Sequence, residues 1–434
     1  MKRLLFFFED DRVDDLYPLS LSHTVAELQC GILSLGDKWS ARIDHDEVRL
    51  IARRSLQQYL VASLQWPINN FDNVSAEQII LVNPRFLPTE DVVTQISEEA
   101  KERAFTCGEA LVAMTVTSNS DLWPRLKSAK GAEDFYQSLR EWGAGLPHTE
   151  VDLKSVRYLW DIVHRNSREI ELDFDLLVPD LDFSRMLDGS EIDDDVLIYN
   201  VDDVYIGTDA QIDGQVVIDA RSGAVYIGDK VQIFPHTRIE GPAYIGNNCQ
   251  IVGGKIRTGC SFGPHCRIGG EVEESIFLGH SNKYHDGFIG HAYIGEWVNL
   301  GALTTNSDLK NNYGNIKVEL PSGLIDTGLN KVGCLIGDHT KTGIGTLLTT
   351  GMVIGFATNL FGGGLAGGRF LPSFMWGGRD GFVEHRVDDA IETARTVLSR
   401  RGKKFGATEE QFFKQAFEQT QSQRDKQLPK RQLL

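Results

Sequence analysis

The chain has 434 residues, 41 % hydrophobic and 24 % charged, enough for more than one packed core and too apolar for bulk disorder. A formal charge of −17 argues against a general nucleic-acid binder, and no apolar run is long enough to cross a bilayer or to form a signal peptide. The six cysteines form no CxxC pair, which argues against structural zinc and fits reduced thiols in a cytoplasm.

In chain order, residues 4–8 read as a buried strand, 25–35 as a helix and 79–82 as a second strand. This alternation predicts an α/β domain over residues 1–185. The acidic stretch 187–195 reads as a linker.

From there a different rhythm takes over. Ile206, Ile212 and Ile218 fall six apart, and so do Ile227, Ile233, Ile239, Ile245 and Ile251. After one-residue slips, Ile256, Phe262 and Ile268 keep the step, then Phe288, Ile294 and Leu300. Ile336, Leu348, Ile354 and Leu360 continue it, with Thr342 in the remaining place. Small residues such as Ala210, Ala243, Cys249, Cys260 and Cys266 sit two places earlier, and Gly often follows. A period of six is neither helical nor that of a half-buried strand. It is the period of a triangular coil with one short strand per side, its turns stacked at roughly 4.8 Å. Residues 196–376 are therefore expected to form a parallel β-helix. Its corners are expected to be eased by Gly at positive φ, and its small inward cysteines to be packing residues.

The repeat is expected to give way near Phe361, with the glycines at 362–364 and 367–368 as a flexible exit. Residues 383–434 form a tail with 11 Lys+Arg against 8 Asp+Glu. Val387, Ile391, Ala394 and Leu398 have helical spacing, and the polar end from Gln419 is expected to fray.

The register breaks at residues 281–290 and again at 306–332, and a long excursion in a compact repeat is usually functional. Six of the eleven histidines lie between His236 and His339. A lone histidine is more often structural than catalytic, so His265, His280 and His291 are read as surface or stacking residues.

Four phrases carry a resemblance. They are Gly290-His291-Ala292-Tyr293-Ile294-Gly295-Glu296-Trp297, Leu309-Lys310-Asn311-Asn312-Tyr313-Gly314, Ile336-Gly337-Asp338-His339-Thr340-Lys341-Thr342-Gly343 and Pro372-Ser373-Phe374. With them the chain resembles a divergent bacterial GlmU-like family, related to sugar nucleotidyltransferases and to glucosamine-1-phosphate N-acetyltransferase. The resemblance implies a left-handed β-helix with acyltransferase chemistry behind a nucleotidyltransferase-like domain. It also implies a homotrimer with coenzyme A sites between neighbouring β-helices. His285 matches the family's general base, which takes a proton from an amine or hydroxyl as that group attacks the thioester of acetyl-CoA. The Ala302 N–H would polarise the thioester oxygen. Asn299, Asn312 and Lys317 match acceptor-binding positions, and Lys283 nearby would meet a sugar phosphate as a point charge.

Departures accompany the match. Glu271-Val272-Glu273-Glu274 stands where GlmU carries basic residues for the acceptor phosphate, and Leu303 replaces a Gly in Gly301-Ala302-Leu303-Thr304. Phe8-Glu9-Asp10-Asp11 stands where nucleotidyltransferases carry a Gly-rich, basic phosphate loop, with Mg²⁺ as the associated ion. His23-Thr24 and Gln29 also stand where the family carries arginines. Three readings follow: an acyltransferase acting on a sugar phosphate, a sugar-1-phosphate nucleotidyltransferase using a nucleoside triphosphate with a structural β-helix, and a non-catalytic sugar-nucleotide-binding scaffold.

Overall fold

The computed structural model describes residues 2–64, 66–71, 76–128, 132–178 and 188–428. An α/β domain comes first. Its six-stranded sheet has the order Glu47–Ile51, Arg3–Phe8, Gln78–Val82, Ala110–Val116, Arg103–Cys107, His148–Glu150. Arg3–Phe8 is parallel to both neighbours and apolar on both faces, as a covered central strand must be. Its carboxyl end lies where the connections diverge to either side, the usual place for a cleft in an open α/β sheet.

The helix expected over residues 25–35 is not there. Val25–Glu27 is a short 3-10 turn, and the α-helix begins only at Leu35–Ser40. Side chains from a remote helix, Leu159–Leu177, hold the intervening backbone instead. Asn166 accepts the Gly31 N–H at 2.7 Å, and Asp173 accepts those of Ile32 and Leu33 at 3.0 Å each. Gly31 has φ +87° there, and a Cβ would lie 2.5 Å from the Asp173 carboxylate.

The second half is the expected left-handed parallel β-helix, of about ten turns. Its first rung, Glu191–Ile192, pairs with Gln211–Ile212, inside the acidic stretch read as a linker; Leu187 lies outside the described residues. The inward positions of one side stack as Ile192, Ile212, Ile233, Ile251, Ile268, Lys283, Leu300, Thr342 and Leu360. Cys249, Cys260, Cys266 and Cys334 are buried in the same core.

Two features differ from expectation. The corners are mostly not glycine: Lys230, Asn248, His265, His280, Trp297 and His339 all take φ between 57° and 62° at stacked corner positions. The Gly after each aliphatic instead lets the next turn come close. A Cβ at Gly246 would lie 2.7 Å from the Phe262 carbonyl oxygen, and one at Gly301 2.7 Å from that of Thr342. The coil also does not end at Phe361. Asn359–Leu360 pairs with Met375–Gly378, and Gly364–Leu365 with Thr346–Leu348, so the glycines lie within the last turns.

The tail is ordered as three helices, Val387–Ser399, Ala407–Gln419 and Gln421–Gln427. Over residues 419–428 the expected fraying is overturned by Arg424, which is 0 % exposed and donates to Thr420 Oγ1, the Phe417 carbonyl and Glu384; residues 429–434 lie outside the described residues. Phe412 stacks on Tyr59 of the first domain at 4.3 Å, so the tail folds back over both halves. The halves also meet directly: Asn166 donates to Ser261 at 2.9 Å, and Tyr293 to the Gln29 carbonyl at 2.9 Å. Among the described residues no helix is long and apolar enough to cross a membrane.

Candidate functional site

The site is built on one outward face of the coil. The rungs that stack isoleucines inward stack polar residues outward, giving a ladder Gln250, Arg267, Asn282, Asn299, Lys341, Asn359. Asn282 donates to Asn299 at 3.3 Å and accepts from Arg401 of the tail at 2.9 Å. Between this ladder and the Val387–Ser399 helix lies a cleft of about 770 Å³. His285, Asn299 and Ala302 share it, with Arg267, Lys341 and Arg401 on its walls.

His285 is exposed beside Tyr284, ring centroids 5.3 Å apart and edge to face. Among the described residues the Ala302 N–H donates to nothing, while its carbonyl accepts from Gly345 at 2.8 Å. Leu303 has φ +63°, where its stacked counterpart is Gly345 at +69°, so leucine occupies a corner that glycine fits better. Its side chain is 55 % exposed.

The cleft is cationic. Among the described residues the Arg267 guanidinium has no hydrogen-bond or ion-pair partner. Burial pushes the Arg401 guanidinium below its ordinary range, and neighbouring Arg267 pushes it the same way. Burial lowers Lys341 to about 8, and its ammonium donates to the His339 and Trp297 carbonyls at 2.8 and 3.2 Å. Two like-charged guanidiniums at one wall are a ready site for an anion. Reading by motif missed Arg267, Lys341, Arg400 and Arg401; the basic excess of the tail was the available signal.

Other expected site residues lie elsewhere. Lys283 cannot meet a sugar phosphate, because it is 0 % exposed and stacks inward between Ile268 and Leu300. Asn312 lines a separate cleft of about 690 Å³ with Asn306, Lys310 and Leu347. Lys317 is exposed at the start of a hairpin, Lys317–Leu320 with Gly323–Asp326, and lines neither cleft. Within one chain they do not join His285. The acidic run also lies off the cleft, with Glu271 3.6 Å from Arg257 and Glu274 bonded to Ser167.

The histidine corners form a stack. His265 lies 4.7 Å from His280, and His280 4.1 Å from Trp297, with the ring planes nearly parallel at 9° and 2°. His339 continues the stack beyond Trp297 at 6.3 Å. Burial lowers His280 and His339 to about 3, so both are neutral rings at pH 7. His291 stands apart, bonded to Asp308 at 2.8 Å.

In the first domain a cleft of about 1020 Å³ opens at the carboxyl end of Arg3–Phe8. The acidic loop there is largely neutralised. Asp10 accepts from Arg85 and from Asn83, the latter at 2.8 Å, and Glu9 accepts from Arg53 at 3.0 Å. Burial raises the Glu9 carboxyl above its usual range against the pull of Arg53. Asp11, Asp14 and Arg140 line the opening.

Residues 5–180 match the family model described as sugar nucleotidyl transferase. A bifunctional sugar-1-phosphate nucleotidylyltransferase/acetyltransferase of Sulfurisphaera tokodaii is 33 % identical over 93 residues, 21 % of this chain and 23 % of that one. The bifunctional protein GlmU of Acaryochloris marina is 29 % identical over 169 residues, 38 % of this chain and 28 % of that protein. An uncharacterized acetyltransferase of Escherichia coli, YaiX, is 31 % identical over 153 residues, 35 % of this chain and 66 % of that one. These partial matches support a divergent GlmU-like family. The matches span about a quarter of the length of the first two relatives. The chain thus joins a domain similar to sugar nucleotidyl transferases to a β-helix, each with its own cleft.

Proposed function

We propose that this protein transfers an acyl group from acyl-CoA to an amino- or hydroxy-sugar phosphate, with His285 as general base. The carrying observation is that His285, Asn299 and the undonated Ala302 N–H open onto one cleft walled by Arg267, Lys341 and Arg401. In this reading His285 accepts the proton of the attacking amine or hydroxyl, which bonds to the acyl carbon as the thiolate of CoA leaves. The Ala302 N–H stabilises negative charge growing on the carbonyl oxygen. The guanidiniums hold anionic groups of donor or acceptor, and Asn299 orients the acceptor. Mg²⁺ has no role in this step.

Asn312 and Lys317 enter through a second copy of the chain. Leu303, Ile344, Leu347 and Leu365 are exposed apolar residues near the corner between the two β-helix clefts. Covering them in a homotrimer would bring the Asn312 cleft of one chain toward His285 of the next. The test is CoA release across a panel of sugar phosphates, with light scattering for the trimer. His285→Ala should lower the rate by roughly 10²- to 10⁴-fold. No CoA release with any acceptor, or an undiminished His285→Ala rate, refutes the reading.

A second reading rests on the large cleft at the end of Arg3–Phe8 and on the family match over residues 5–180. There the first domain would transfer a nucleotidyl group to a sugar 1-phosphate, with Asp11 and Asp14 offering oxygen ligands to Mg²⁺. Mg²⁺-dependent pyrophosphate release from a nucleoside triphosphate tests it. Binding without turnover in both assays would favour the scaffold.

A further inference from the structure

We infer that Lys283 is a positioning residue for His285: its buried ammonium clamps the turn that carries the imidazole. The inference rests on the reading of His285 as the base.

The inward ladder needs only hydrocarbon at this place. Ile268 lies in the rung below and Leu300 in the rung above, yet residue 283 is a fully buried lysine. Burying an ammonium is costly unless its donors are used. Here they are. Nζ donates to the carbonyl oxygen of His285 and, at 3.5 Å, to that of Gly269 in the turn below. Gly270, at φ +68°, leaves room for it: a Cβ there would lie 2.8 Å from Nζ and 2.7 Å from the Gly287 carbonyl oxygen.

The same turn is held from above. Leu303 donates its N–H to the Asp286 carbonyl at 2.7 Å. Gly287 packs so closely that a Cβ would lie 2.2 Å from the Thr304 oxygen. Residues 285–287 are thus pinned between two rungs, by an ammonium below and a backbone N–H above. His285 itself is exposed and has no side-chain hydrogen bond among the described residues, so its backbone anchor fixes where the ring can go. Burial lowers the Lys283 ammonium to about 8, while Asp286, the charged group acting on it, pulls the other way. The clamp therefore loosens as pH rises through that range.

The test uses the full chain with Lys283→Met, which restores an apolar side chain of similar length. The expected result is a melting temperature equal to or above wild type, because apolar replacement of a buried charge is often neutral or stabilising. With it, kcat should fall about tenfold to a hundredfold, as misplacement of a base does, while KM for acyl-CoA changes less than twofold. The alkaline limb of the wild-type rate profile near pH 8 should vanish in the variant. A second readout does not need turnover. With ring-labelled histidine, the His285 NMR signal should show an inflection near pH 8 in the wild type and none in Lys283→Met. An unchanged kcat in the variant overturns the inference, and so does a wild-type His285 signal that passes pH 8 without inflection. If neither protein releases CoA, the acyl-transfer reading falls and the NMR titration alone decides the clamp. If Lys283→Met does not fold, the wild-type titration decides it in the same way.

Discussion

Asp338→Asn should weaken the junction between the two halves by an amount the structure allows to be worked out. Asp338 sits at a corner of the coil and is fully buried. It pairs with His23 of the first domain at 2.8 Å, accepts from Ser22 at 2.7 Å and accepts the Glu296 N–H at 2.7 Å. Burial alone would push His23 down, but the Asp338 and Glu27 carboxylates together outweigh it and His23 ends well above its usual value. For Asp338, burial raises the carboxyl, and His23 together with the Ser22 hydroxyl more than reverses this, leaving it lowered. Removing one partner of a buried ion pair costs about 3–5 kcal/mol. His23 keeps Glu27 at 3.7 Å as a second partner, so the low end applies, about 3 kcal/mol. For units of this size that corresponds to a melting point lower by about 6–12 °C. The pH dependence follows from linkage. The His23 contribution is complete below its unfolded value near 6.5 and disappears as pH rises through its raised folded value. The Asp338 contribution is complete above its unfolded value near 3.8 and disappears as pH falls through its lowered folded value. The deficit of the variant should therefore be largest from about pH 4 to 6.5 and shrink at alkaline pH. Thermal melts of both proteins at several pH values measure this. A deficit below about 2 °C, or one flat from pH 4 to 9, refutes the argument.

Two further outcomes follow from the coil. Gly246→Ala should cost about 1–3 kcal/mol in chemical denaturation, because its Cβ would meet the Phe262 carbonyl oxygen at 2.7 Å. Asn248→Gly, at φ 60°, should change stability by only a few tenths of a kcal/mol. Arg401→Met should raise KM for acyl-CoA about tenfold, the effect of roughly 1.4 kcal/mol of lost binding. It should also flatten the salt dependence of KM, since a charge leaves the cleft wall.

The β-helix was legible because most inward positions repeat one demand, an aliphatic side chain, turn after turn. Five isoleucines in step, from Ile227 to Ile251, leave little else that fits. The local rules that failed were those another part of the chain overrides. Val25, Leu28, Ile32 and Leu35 have helical spacing, yet Asn166 and Asp173 take the backbone N–H groups a helix would need. The role of Gly was misassigned because the tight contact is with the neighbouring turn, which sequence spacing does not reveal. At the candidate site, motif position located His285, Asn299 and Ala302 on one cleft but also nominated Lys283. A lysine near a catalytic motif reads as a phosphate ligand until its place in the inward ladder is known. Arg401 was illegible for a simpler reason: it comes from a helical tail more than a hundred residues further along the chain.

That tail sets an order of assembly. The coil can build rung upon rung as the chain leaves the ribosome, since each turn pairs with the turn before it and meets a first domain already made. The turn of His285 can thus be in place while the helices from Val387 onward are still being made. Without the tail the cleft has its imidazole but lacks the Arg401 wall, and Tyr59 of the first domain is uncovered. In this molecule the cleft beside His285 gains its second wall only once the chain has been made as far as Arg401.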